Sequence, residues 1–112
     1  MRLLGTHLVD DFIKKHPKAK GALRRWQKII EGEDYRSFVE LRKTFPQADY
    51  VRGKTVFNVG GNKIRAITFI EYGIRQVLIT HVLTHAEYDN RNWIDYEIIT
   101  RTFSRTKYDK LK

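Results

Sequence analysis

Residues 54–69, KTVFNVGGNKIRAITF, set Lys54, Asn58, Lys63 and Arg65 among apolar neighbours on either side of a glycine pair. Side chains two apart on a strand share a face. A face carrying cations and an amide can hold a phosphate and the charge that builds on a phosphorane. A second stretch, VLTHAEYDN at 82–90, adds His85 and Tyr88. Thr84 followed by Glu87 fits a capping box, so a helical turn begins here, with His85 and Tyr88 on one side of it. Glu87 then reads as a cap rather than an acid. An imidazole and a phenol beside a cationic face are what metal-free phosphodiester cleavage uses. One side chain takes the proton of the ribose 2′-hydroxyl, another donates to the leaving oxygen, and cations hold the phosphorane. His81 and His85 have a metal-ligand spacing, but His81 falls on a predicted strand, no HExxH occurs and the chain has no cysteine. Neither a metal nor a cofactor is assigned.

These groups need a scaffold. Taking Gly60-Gly61 as a two-residue primed turn places 58 opposite 63, 56 opposite 65 and 54 opposite 67. One face then collects Lys54, Val56, Asn58, Lys63, Arg65 and Ile67, with Lys63 at the rim. The other collects Thr55, Phe57, Val59, Ile64, Ala66, Thr68 and Ile70, a core face. Strands are expected near 50–52, 55–59, 62–71 and 75–83, with turns at Gly53, Gly60-Gly61-Asn62 and Tyr72-Gly73. Links this short demand antiparallel neighbours. Ahead of them, apolar spacing predicts helices over 6–16, with Thr6 as N-cap, and over 18–31 and 37–44. In the second helix Ala19, Ala22, Leu23, Trp26, Ile29 and Ile30 form a core stripe, and Trp26 reads as core rather than a base-stacking platform. Lys20, Arg24 and Lys28 recur on the opposite side, a candidate row for tracking an RNA backbone. Helices followed by a meandering sheet make an α+β domain spanning 1–112, with about 104–112 as a flexible tail.

Charge agrees with an anionic partner. The net charge is +9, at a pI of about 9.9; nucleic acid is the commonest partner of such a balance. The excess lies in residues 1–30 and 91–112, while 31–90 balances eight basic against eight acidic side chains. No apolar run reaches the ~20 residues of a membrane span, and MRLLGTHLVDDF turns acidic too early for a signal peptide. A soluble, cytoplasmic protein is expected.

VFNVGGNKIRAI followed by VLTHAEYD closely resembles the HigB branch of the RelE superfamily of bacterial type II toxins, and the order of elements matches along nearly the whole chain. The resemblance implies a RelE-like, microbial-RNase-like fold: N-terminal helices on a twisted antiparallel sheet, a short C-terminal helix and a concave face that binds RNA. It implies metal-free cleavage of messenger RNA in the ribosomal A site through the 2′-hydroxyl. It also implies a HigA-like, helix–turn–helix antitoxin encoded beside the toxin. Arg65 matches the family's arginine that contacts the scissile phosphate. His85 falls where relatives carry a basic or histidine side chain, and Tyr88 on the tyrosine near the C-terminal end. Lys54, taken with these three as catalytic, and Asn58 lie on the strand where many relatives carry lysines; Val56 replaces a lysine present in some, which thins the cluster. Two other readings compete: a non-catalytic RNA- or ribosome-binding module, and a basic surface that docks an acidic polypeptide.

Overall fold

A computed structural model describes residues 1–61 and 63–90. Its elements are β1 (Arg2–Leu4), α1 (His7–Lys15), α2 (Lys20–Glu31), α3 (Phe38–Thr44), β2 (Asp49–Val51), β3 (Lys54–Val59), β4 (Ile64–Glu71), β5 (Gln76–Thr84) and α4 (His85–Asp89). Short 3₁₀ turns at Pro17–Ala19 and Tyr72–Ile74 complete it. The expected α+β architecture is present. The expected tail at about 104–112 and the turn residue Asn62 lie outside the described residues. No helix among the described residues is long and apolar enough to cross a membrane.

The helices follow their apolar stripes. Val9 and Phe12 of α1 and Leu23, Trp26 and Ile30 of α2 are buried against one face of the sheet. Trp26 meets Phe57 edge-on with ring centroids 5.3 Å apart, so it is a core residue as expected. Ile29, by contrast, is 37% exposed, and Gln27 takes a buried place in the stripe. Ser37 caps α3 by accepting from the Glu40 N–H at 3.2 Å. Thr6 precedes α1, but its side chain accepts no capping hydrogen bond.

The sheet departs from the expected antiparallel meander. Its order is β1-β5-β4-β3-β2, and β1 pairs parallel to β5, with Leu3 beside Val77. Gly5 allows this docking. Its φ is +81°, and a Cβ there would lie 2.5 Å from the Ile79 carbonyl oxygen. A three-residue strand whose partner lies some seventy positions away has no local periodicity, so only the folded chain reveals it.

The hairpin register also shifts. Asn58 pairs with Arg65 and Val56 with Ile67, two positions from the expected pairing. The loop is longer than the two-residue turn expected, although Gly60 and Gly61 both adopt the left-handed conformation, φ +65° and +63°. Lys63 stays in this loop, exposed, and its carbonyl accepts the His85 N–H at 3.0 Å. That contact ties the loop to the start of α4. A two-residue shift leaves every side chain on its own face, because the face alternates with each residue. Phe57, Val59, Ile64 and Ala66 therefore do join the helix-side core, and Val56 and Ile67 do face away from it.

β5 contains an irregularity. Ile67 pairs with His81 but Thr68 with Ile79, so Thr80 is an extra residue. Val77 and Ile79 point to the helix-side core, whereas Leu83 joins the opposite face. The bulge at Thr80 switches which alternate residues face the cleft.

Candidate active site

The sheet face turned away from α1 and α2 is crossed by two informative rows. One runs Asn58, Arg65, Leu83, and the other runs Val56, Ile67, His81. The second starts apolar: Val56 and Ile67 are buried and pack with Val51, Leu83 and Tyr88. Tyr88 gets there because α4 begins at the end of β5. Thr84 Oγ1 accepts the Glu87 N–H at 3.2 Å, and Glu87 Oε1 accepts the Thr84 N–H at 2.9 Å, which completes the expected capping box. Both carboxylate and hydroxyl are committed to the helix start, so Glu87 is a cap.

Arg65, His85 and Tyr88 come together. The Arg65 guanidinium carbon lies 5.5 Å from the Tyr88 ring centroid, and its Nη2 is 3.1 Å from His85 Nδ1. A guanidinium only donates, so His85 Nδ1 is the acceptor and the neutral ring carries its proton on Nε2. That nitrogen lies 3.3 Å from Asp89 Oδ2, one helical turn on. The arrangement is a chain of donors: Arg65 to His85, His85 to Asp89. Arg65 is 7% exposed, while the His85 and Asp89 side chains are half or more exposed. The cation expected on an open face is instead sunk beneath an imidazole and a phenol that solutes can reach.

Lys54 is placed differently. It is 8% exposed, and its Nζ lies 5.3 Å from the Phe69 ring centroid. The Val56–Ile67 row separates it from Arg65, and its backbone stands four positions along β3 from Asn58, roughly 13 Å. Asn58, directly opposite Arg65, donates from Nδ2 to Gln47 Oε1 at 3.2 Å.

A family model described as "HigB_toxin, RelE-like toxic component of a toxin-antitoxin system" matches residues 19–91. The chain belongs to the HigB toxin family. It is 28% identical over 92 residues to the mRNA interferase HigB of Escherichia coli O6:H1, covering 80% of this chain and 89% of that one. It is 30% identical over 92 residues to the mRNA interferase HigB of Shigella flexneri, covering 80% and 88%. The stretch matched to the HigB toxin model holds every residue of the Arg65–His85–Asp89 chain and Tyr88.

The remaining candidates in this HigB toxin lie elsewhere. Lys20 and Lys28 are exposed on α2, on the helix side of the sheet and away from the cleft. Arg24 between them is engaged: it donates to Asp10 Oδ1 at 2.8 Å and to Gln27 Oε1 at 2.9 Å, so the row is less basic than its spacing suggests. Two residues of the cleft escaped the sequence reading. Asp89 had a legible signal, the i, i+4 spacing from His85. His81 had none, because the bulge alone decides its face.

Proposed function

We propose that this chain is a ribosome-dependent, metal-independent mRNA endoribonuclease, the toxin half of a toxin–antitoxin pair. The observation that carries this reading is the donor chain from Arg65 through His85 to Asp89 under the Tyr88 ring. A scissile phosphate entering the cleft offers Arg65 a stronger acceptor than an imidazole nitrogen. Engaging it frees His85 Nδ1 beside the phosphate. His85 then takes the proton of the ribose 2′-hydroxyl as its oxygen attacks phosphorus, and Asp89 stabilises the imidazolium through Nε2–H. Arg65 holds the charge of the phosphorane. The Tyr88 hydroxyl donates to the departing 5′-oxygen, and Asn58 supports the row facing Arg65. The products are a 2′,3′-cyclic phosphate and a free 5′-hydroxyl.

Lys54 and Lys63 flank this centre and are assigned to the RNA backbone on either side. Lys20, Arg24 and Lys28, across the molecule, are assigned to ribosomal RNA. The partner in the resting cell is a HigA-like antitoxin in the cytoplasm. The names of the relatives, which are mRNA interferases, support the substrate class. Incubation with programmed ribosomes, followed by analysis of the cut ends, tests the reading. A 5′-hydroxyl product is expected; a 5′-phosphate, or intact message on ribosomes the protein has bound, overturns it in favour of hydrolysis by another route or of binding alone.

A further inference from the structure

We propose that Gln47 is a specificity-determining residue, which with Asn58 reads the base of a nucleotide beside the scissile phosphate. The inference rests on the function proposed above. Its first support is where the sheet puts Gln47. Asp49 lies opposite Val56 on the β2–β3 ladder, and the same ladder carried two positions further sets 47 beside 58. The hydrogen bond from Asn58 Nδ2 to Gln47 Oε1 at 3.2 Å shows that the two side chains meet there. Asn58 in turn lies opposite Arg65. Gln47, Asn58 and Arg65 therefore form one row on the cleft-side face, with the buried guanidinium inside and the exposed Gln47 at the rim.

The second support is that the backbone under Gln47 is held. Residues 45–48, FPQA, form a turn closed by the Ala48 N–H, which donates to the Phe45 carbonyl at 3.0 Å. Both ends of the turn are anchored in the helix-side core. Phe45 meets Phe57 edge-on with ring centroids 5.0 Å apart, and Ala48 is buried. Pro46 fixes its own φ, and its carbonyl accepts from Arg42 Nη2 at 3.0 Å. A turn so constrained loses little backbone freedom when Gln47 engages a ligand. The third support is chemical. Two carboxamides joined by one hydrogen bond still offer an acceptor on one and a donor on the other, here Asn58 Oδ1 and Gln47 Nε2. The pair is neutral, and the exposed Asp49, two residues along the same face, disfavours a phosphate at this edge. A donor beside an acceptor complements the edge of a nucleobase. Contacts of that kind carry sequence, whereas phosphate contacts carry none.

Messages that differ by one base in the A-site codon, presented on programmed ribosomes, test the assignment. Wild-type kcat/KM is expected to spread over the four bases at one codon position. Gln47→Leu should lower kcat/KM for the preferred base about tenfold, the worth of one hydrogen bond, and leave the least preferred base unchanged. Gln47→Glu keeps an acceptor for Asn58 and replaces the donor by a second acceptor, so the order of the bases should change. A flat wild-type profile overturns the proposal, as do wild-type profiles from both variants. A uniform fall over all four bases also overturns it, and makes Gln47 a positioning residue for Asn58 instead. Should the wild-type protein leave every message intact, the nuclease reading fails by itself, and co-sedimentation with the same ribosomes decides the contact. Binding that depends on the base, and loses that dependence in Gln47→Leu, upholds it; binding independent of the base overturns it.

Discussion

Arg65 can donate and never accept, and that single property assigns the protons of the site. It makes His85 Nδ1 an acceptor, which sends the ring proton to Nε2 and toward Asp89. The His85–Asp89 pair is exposed, so it adds little to stability; under the proposed mechanism it places a negative charge behind the base. Asp89→Asn is therefore expected to melt with the wild type yet cleave roughly tenfold or more slowly, because the imidazolium formed in the transition state loses its counter-charge. Stopped-time cleavage beside a thermal melt checks this; equal rates would remove Asp89 from the site. Tyr88→Phe deletes one hydroxyl and keeps the ring on Val56 and Ile67. A loss of about 10²–10⁴ in rate is expected, with folding intact. Arg65→Lys should not rescue, since an ammonium lacks the planar fork that can engage a phosphate.

At the scale of elements, two short features aim the groups. The capping box at Thr84 starts α4 where β5 ends, and the Lys63 carbonyl ties that start to the β3–β4 loop. Thr84→Ala removes the cap, worth about 1 kcal/mol. The core of the domain does not depend on it, so the predicted signature is a large loss of cleavage at a nearly unchanged melting temperature, with Thr84→Ser restoring activity. A matching drop in melting temperature would mean that α4 is structural first. Gly5 is the opposite case. Gly5→Ala would force a Cβ toward the Ile79 carbonyl at a φ that alanine disfavours. It should lower the melting temperature by undocking β1, and a melt decides it.

At the scale of the molecule, one side of the sheet holds the main core and the other holds the candidate site. The helix side holds the large core, with Phe57, Leu23 and Ile30 fully buried; among the described residues the cleft side carries the small apolar saddle under Tyr88. Core groups should therefore govern the pH dependence of folding. Burial raises the pKa of Tyr72 above its ordinary 10, with Thr55 pulling the other way and Tyr50 adding to the rise. A raised phenol is held neutral by the fold. Its contribution is full below pH 10 and is lost as the pH climbs past 10 toward the folded-state value. Denaturant unfolding from pH 8 to 11 should show stability falling above 10, and Tyr72→Phe should flatten that fall.

The period-2 pattern of residues 54–70 by itself determined which side chains share a face. That result survives a two-residue error in register, because parity is all that burial tests. The apolar spacing of 18–31 likewise determined the packing of α2, and the Thr84–Glu87 pair determined where α4 begins. These are local signals, each written within one element. What only the tertiary structure decided lies between elements. The parallel pairing of β1 depends on a strand far along the chain, and the longer hairpin loop is tied by the Lys63 carbonyl to α4, another element. The burial of Arg65 and the distance of Lys54 from it depend on a saddle built by four strands and a helix. His81 is the sharpest case: its strand was legible, but one extra residue in the ladder reversed its face. No periodicity can show such a slip, because the pairing partner sets the count.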